Sequence, residues 1–476
     1  MSNSQMKRVS LKLLFYLIFI SIIVSRTIIA QNSDIFKNGK LKVSSNGHFL
    51  EFKNGKPFFW LGDTGWLLFS KLNREEAAKY LEDRSKKGFN VIQVMVVHKL
   101  PAVNVYGDSA FINNDPVHPK VTEGNNPRKP KEYDFWDHVD YIVKLAEKKG
   151  IFIAMVPVWG SNVSDNKINI NNASIYAAWL ANRYKDNPNI IWINGGDIRG
   201  DENTAVWNEI GNTIHRVDPN HLITFHPFGR TQSSRWFNDE PWLSFNMLQS
   251  GHKDYSQDSA GFGEDNWRYV RIDYEKTPHK PTLDGEPSYE NIPHGLHNPA
   301  MPYWKDDDVR RYAYWSVFAG ACGFTYGDNA VMQMYKTGDS KGDYGVREYW
   351  DQALNDPGSS EMIYLKKLMI SKPYFERIPD QSIIDGPNGT KYNFLIATRG
   401  SSYLFIYNYT GRKLKIKMGK ISGSFVNAYW YNPRNGTYTF IKKIINKGIK
   451  QFDPPGKKKN GNDWVLVIKD ASLNSE

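Results

Sequence analysis

Cysteine is almost absent from this 476-residue chain. Its single copy, Cys322, excludes an intramolecular disulfide framework and any cysteine-rich zinc or iron–sulfur centre. Membrane-length apolar runs are missing too: the run from Leu13 to Val24 has twelve residues, short of the about 20 that a helix needs to cross a bilayer. Positive charge is lacking where a nucleic-acid channel would need it. The net +11 is concentrated at the ends, with +4 in residues 1–30 and +12 in 390–476, where 16 Lys and Arg face four acids. Residues 31–389 are therefore mildly acidic, which argues against nucleic acid as a partner. Aromatic residues are plentiful, with 15 Trp, 27 Tyr and 25 Phe, and flat rings at a surface suit the apolar faces of sugars or bases.

Lys7, Arg8 and Lys12 precede the short apolar run, the order of a secretory signal peptide. Cleavage after Ala30 is expected, giving an exported protein, periplasmic or extracellular, with no membrane span after the cut.

From residue 58 to 329 short apolar runs alternate with amphipathic stretches. Strands are expected at 58–63, 90–97, 151–158, 189–194, 221–226, 243–248, 280–284 and 321–326. Helices are expected at 74–87, 135–149, 175–184, 205–216, 265–275 and 307–318. In the second of these, Val139, Ile142, Val143 and Ala146 recur at the spacing of one buried helix face. After residue 370 alternating β-rich runs take over, with a hairpin turn at Asn432–Gly436 and a lysine-rich stretch, 442–459, that reads as a solvated loop or edge. The fold class is thus α/β: a (β/α)8 TIM barrel followed by a small antiparallel β-sandwich. The expected division is a signal peptide over 1–30, a catalytic barrel over 31–375 and a β module over 376–476.

In such a barrel, function gathers where the strands end and the βα loops converge. The strand ends here offer Asp63 and Trp66, His98, Trp159, Asn194 and Asp197, His226, Gln249 and His252, Glu286, and Tyr326. Asp197 follows two glycines after the fourth strand, and Glu286 follows the seventh. Carboxylates after these two strands face each other across a barrel mouth, as two-carboxylate glycoside hydrolysis requires, and their environments must split their proton affinities. The remaining residues are candidates for substrate binding. Asp284, two before Glu286, reads as still inside its strand. Two other readings compete: a metal-dependent barrel hydrolase using Asp63, His98, His226 and His252, and a non-catalytic glycan-binding protein whose basic module grips polyanionic pectin.

Gly62-Asp-Thr-Gly-Trp66, Trp159-Gly-Ser, Asn189-Ile-Ile-Trp-Ile-Asn-Gly-Gly-Asp197, Thr224-Phe-His-Pro, Asn246-Met-Leu-Gln-Ser-Gly-His252, Gly285-Glu-Pro-Ser-Tyr-Glu290 and Thr325-Tyr-Gly327 stand in this order. Together they resemble the apiosidase-like glycoside hydrolases, family 140, over roughly residues 36–370. The last hundred residues resemble the small β domain, often labelled collagen-binding, that follows such barrels. The resemblance implies an enzyme of plant cell-wall glycans, with Asp197 as general acid/base and Glu286 as nucleophile of a retaining mechanism. It implies no metal or other cofactor, and as partner an oligosaccharide or polysaccharide, acidic pectin among the candidates. Characterised relatives release apiose from pectic side chains. Where relatives continue Tyr-Gly-His and place a Trp soon after, this chain has Tyr326-Gly-Asp328 and Met332, differences that bear on the sugar rather than on the reaction class.

Overall fold

The computed structural model describes residues 34–473; the expected signal peptide lies outside them. The eight expected barrel strands form, as β1 (Trp60–Thr64), β2 (Val91–Val97), β3 (Phe152–Val158), β4 (Ile190–Ile198), β5 (Ile223–Pro227), β6 (Asn246–Gln249), β7 (Thr282–Asp284) and β8 (Gly323–Tyr326). They pair in parallel in the order β5-β4-β3-β2-β1-β8-β7-β6. The seam between β5 and β6 has no full ladder. It is closed by single bonds, Ser244 N to Ile223 O at 2.8 Å and Thr224 Oγ1 to Phe245 O at 2.7 Å.

Seven helices cover the sheet: α1 (Arg74–Lys86), α2 (Phe135–Lys148), α3 (Ala173–Tyr184), α4 (Thr204–Val217), α5 (Asn266–Tyr274), α6 (Asp306–Phe318) and α7 (Pro357–Ile370). Local chemistry sets their starts. Asn73 and Asp134 each accept a backbone N–H of the first turn while an acid three residues on accepts theirs, so orphan donors of α1 and α2 are paired reciprocally. The stripe Val139, Ile142, Val143 and Ala146 is wholly buried. After β5 the covering helix shrinks to one turn, Ser234–Phe237.

The C-terminal residues form a six-stranded sheet and a two-stranded sheet. The strands are β9 (Ile378–Pro379), β10 (Leu395–Arg399), β11 (Tyr403–Asn408), β12 (Leu414–Lys417), β13 (Phe425–Tyr431), β14 (Tyr438–Ile445), β15 (Ile449–Phe452) and β16 (Trp464–Asp470). Their orders are β9-β10-β11-β16-β13-β14 and β12-β15. The lysine-rich stretch from 442 is thus not a loop at its start. It completes the edge strand β14 and then supplies β15, and lysines on an edge strand discourage pairing with another chain.

This β module is fused to the barrel by one apolar core in which Phe318 of α6 meets Phe405 and Tyr407 of β11. Tyr314 stacks on Tyr407 at 4.7 Å and Trp267 on Phe394 at 4.3 Å. Charges cross the same boundary: Arg310 Nε lies 3.1 Å from Asp463, and Glu264 joins Arg311 at 2.6 Å to Tyr392 at 2.8 Å.

Candidate active site

A cavity of about 490 Å³ opens where the barrel strands end. Its floor and walls include Trp66, His98, Trp159, Asp197, Gln249, His252 and Glu286, each singled out in the sequence. The backbone explains how Asp197 gets there. Gly195, Gly196 and Asp197 have successive φ of +83°, +123° and +49°, and the β4–β5 register shifts across them. A side chain at Gly196 would collide with the Trp159 indole at 2.6 Å, so this bend requires glycine. Asp197 itself holds a left-handed conformation that L-residues seldom adopt, the kind of strain that collects at functional positions.

Glu286 follows the end of β7, with its carbonyl accepting from Gly251 N at 3.1 Å and that of Gly285 accepting from Gln93 Nε2 inside the barrel at 2.9 Å. Two imidazoles meet its carboxylate: His252 Nε2 at 3.1 Å from Oε1 and His226 Nε2 at 2.9 Å from Oε2, the second a close contact rather than a straight hydrogen bond. The Asp197 amide donates to His226 Nδ1 at 3.1 Å. Since a backbone amide only donates, this ring nitrogen carries a lone pair and its proton sits on Nε2, facing Glu286. His226 therefore ties the two acids together from beneath the cavity, with Trp66 and Trp159 each 5.4 Å from its ring.

The acids have opposite proton affinities. Asp197 meets solvent within the cavity, but protein replaces bulk water around the recess. This desolvation, together with the charge of Glu286, pushes its carboxyl up to about 6, against the histidines and a hydrogen bond from Gln249. Burial opposes ionisation of Glu286 as well, yet the His226 and His252 side chains that face its two oxygens outweigh it and bring it down to about 2. One carboxyl can keep a proton while the other stays ionised, the division of labour that acid-assisted nucleophilic displacement needs.

Three expected substrate-binding residues do not reach the cavity, for one shared reason. Side chains alternate between the barrel interior and the helical layer, and Asp63, Asn194 and Tyr326 fall on the outward phase. Asp63 accepts from Arg84 Nε and Tyr80 Oη of α1, both at 2.6 Å. Asn194 donates to Trp207 O of α4 at 2.8 Å, and Tyr326 donates to Glu290 at 2.5 Å. All three are buried structural groups. Asp284 also faces outward, bound by Ser250, Asn266 and Ser316, inside its strand as expected. With Asp63 held by Arg84, the four residues of the metal-dependent reading do not converge, and among the described residues no cluster of His, Cys, Asp and Glu is arranged to hold a metal ion. Of the two departures after β8, Met332 lines the cavity, whereas Asp328 is buried and caps the next turn through Ala330 N and Val331 N.

Arg230, just past β5, also lines the cavity, as do Tyr289, Lys253, Asp343 and Tyr344, which the sequence does not single out. Tyr289 packs edge-on against His252 at 4.7 Å. Its signal was its place in the Gly285–Glu290 segment; the others sit in loops without periodicity.

The family described as "Apiosidase-like, catalytic domain" matches residues 44–376, and "Putative collagen-binding domain of a collagenase" matches residues 378–469. A solved structure named glycoside hydrolase is 49% identical, covering 93% of this chain and 99% of its own, with a TM-score of 0.86. The crystal structure of a glycoside hydrolase family 5 protein from Bacteroides vulgatus is 46% identical, covers 93% and 95%, and gives 0.87. No protein of curated function matches the chain.

Proposed function

The chain belongs to the apiosidase-like glycoside hydrolases, and from that premise we propose that it is an exported, retaining enzyme acting on pectic glycans of plant cell walls. In this reading the ionised Glu286 attacks the anomeric carbon and forms a glycosyl ester as the bond to the departing oxygen breaks. Asp197 gives its proton to that oxygen. It then takes a proton from a water molecule, which attacks the same carbon and frees Glu286 with net retention. Trp66 and Trp159 offer apolar faces to the sugar ring, and Gln249 and His98 offer polar groups to its hydroxyls.

The observation that carries this reading is the pairing, over one aromatic cavity, of a carboxyl raised to about 6 with one lowered to about 2. The test is incubation with a panel of pectic oligosaccharides, identifying the sugar released and, by NMR in the first minutes, its anomer. A product of inverted configuration overturns the retaining step, and release only from non-pectic glycans overturns the substrate class. Export is checked by the mass of the protein recovered from outside the cytoplasm, which should begin at Gln31.

A further inference from the structure

The C-terminal module has a cavity of its own, about 350 Å³, between residues 390–393 on one wall and Lys458, Lys459 and Asn460 on the other. The buried Thr410 forms part of its lining. Hydrogen bonds fix both walls. Lys459 N donates to Thr410 O at 3.0 Å, while Asn462 Nδ2 donates to Pro455 O and Lys457 O at 2.9 and 3.1 Å. Across the cavity Arg412 donates to Asn393 O at 2.8 Å and to Asn388 O at 2.5 Å. The lysines are thus presented from a fixed backbone.

Positive charge gathers here without acids. Lys391, Lys458 and Lys459 line the cavity and Arg412 stands behind Asn393, whereas none of the lining residues is acidic. Among the described residues no carboxylate forms an ion pair with any of these four cations. The acids packed nearby are engaged elsewhere: Asp453 with Lys413 at 2.9 Å, Glu264 with Arg311 at 2.6 Å and Tyr392 at 2.8 Å, Asp307 with Tyr409 at 2.7 Å. Burial alone pulls the Arg412 guanidinium below the usual arginine range, with no acid to hold it up. A concave site walled by one sign of charge draws the opposite sign, and the amides of Asn393 and Asn460 with the Thr390 hydroxyl suit the hydroxyls of a sugar. The cavity also has a neighbour. Lys391 Nζ stands 4.9 Å over the Tyr255 ring, and Tyr255 lies two residues beyond Lys253, which lines the catalytic cavity. One loop borders both openings.

We propose that this cavity binds uronic acid residues of an acidic polysaccharide, with the sugar carboxylate among Lys391, Lys458 and Lys459 and the hydroxyls on Asn393, Asn460 and Thr390, and so holds the chain beside the catalytic cavity. The choice of a sugar acid rests on the pectic reading, yet its test uses no cleavage, so the two fail separately. The probe is de-esterified polygalacturonate, in affinity electrophoresis of the full chain carrying Glu286→Gln, so that binding is read without hydrolysis. Retardation is expected at low salt, fading as salt screens the charges. Lys458→Gln/Lys459→Gln and Lys391→Gln should each weaken it, the pair about tenfold, with an unchanged melting temperature. Lys458→Arg/Lys459→Arg, which keeps the charge, should retain it. Asn393→Ala/Asn460→Ala should weaken it about threefold. Lys443→Gln/Lys447→Gln, an equal loss of charge on and just after β14, should leave it unchanged. No retardation of the parent, an equal loss from the β14 pair, unchanged binding by the lysine variants of the cavity, a loss confined to Arg230→Gln/Lys253→Gln at the catalytic mouth, or equally tight binding of neutral galactan or single-stranded DNA would each overturn the proposal.

Discussion

The first and fourth barrel strands both bring a glycine-aspartate pair to their ends, and the two carboxylates meet opposite fates. Asp63 turns to the helical layer, where Arg84 of α1 neutralises it in a fully buried pair at 2.6 Å. Asp197 turns to the mouth, where another acid, Glu286, shares the recess and where its own amide donates to His226. A guanidinium fixed at contact distance commits a carboxylate to holding the fold together. A second carboxylate in a shared recess leaves it able to exchange a proton. Partner and strand phase, rather than residue type, separate the two roles.

The comparison can be broken most forcefully at the mouth. Glu286→Gln and Asp197→Asn should each lower turnover on the order of 10⁴-fold with an unchanged unfolding midpoint; near wild-type rates for both would remove the catalytic assignment. Asp63→Asn should do the reverse. With the buried charge gone, Arg84 keeps only the partly exposed Asp83 at 2.7 Å, which should cost about 3 kcal/mol of stability, read by denaturant unfolding, while turnover per folded molecule holds. A smaller effect is expected from His252→Ala, which removes one of the two imidazoles on Glu286. Its carboxyl should rise from about 2 toward the ordinary range, so the acidic limb of the kcat/KM profile should move to higher pH and turnover should fall about 10–100-fold. The mildest test leaves the sequence intact. The reaction needs Asp197 protonated and Glu286 ionised, so kcat/KM should decline tenfold per pH unit above about 6. On the acid side it should stay level towards about 2. A level profile through pH 8 would contradict the raised carboxyl of Asp197.

The barrel was legible because each of its eight strands is a short apolar run and most of the runs are joined by amphipathic helices, and because Lys86–Gly88 and Lys148–Gly150 mark helix ends clearly. The phase of each strand was not legible. A parallel strand covered on both faces is apolar throughout, as in Val91–Val97, so it carries no alternation from which to read which side faces inward. That is why Asp63, Asn194 and Tyr326 looked like rim residues, while His226 and Gln249, at the same kind of position, do turn toward the site. The loop residues Lys253, Asp343 and Tyr344 were hidden for a different reason: the segments that carry them have no period, and folding alone brings them to the mouth. In the module, alternation was visible in Leu414–Lys417, but the lysines after residue 441 disguised the rest of β14 and all of β15.

The shared aromatic boundary between barrel and module has a practical consequence for anyone wanting a shorter enzyme. Truncation after residue 376 would strip Tyr407 from Tyr314, Phe394 from Trp267 and Asp463 from Arg310, baring an oily strip and leaving Arg310 of α6 with only Asp306 and Glu361 as partners. Since α6 leads directly into β8, such a fragment should come out of expression as aggregate, and gene designs for a minimal catalyst will have to rewrite that helix before they discard what covers it.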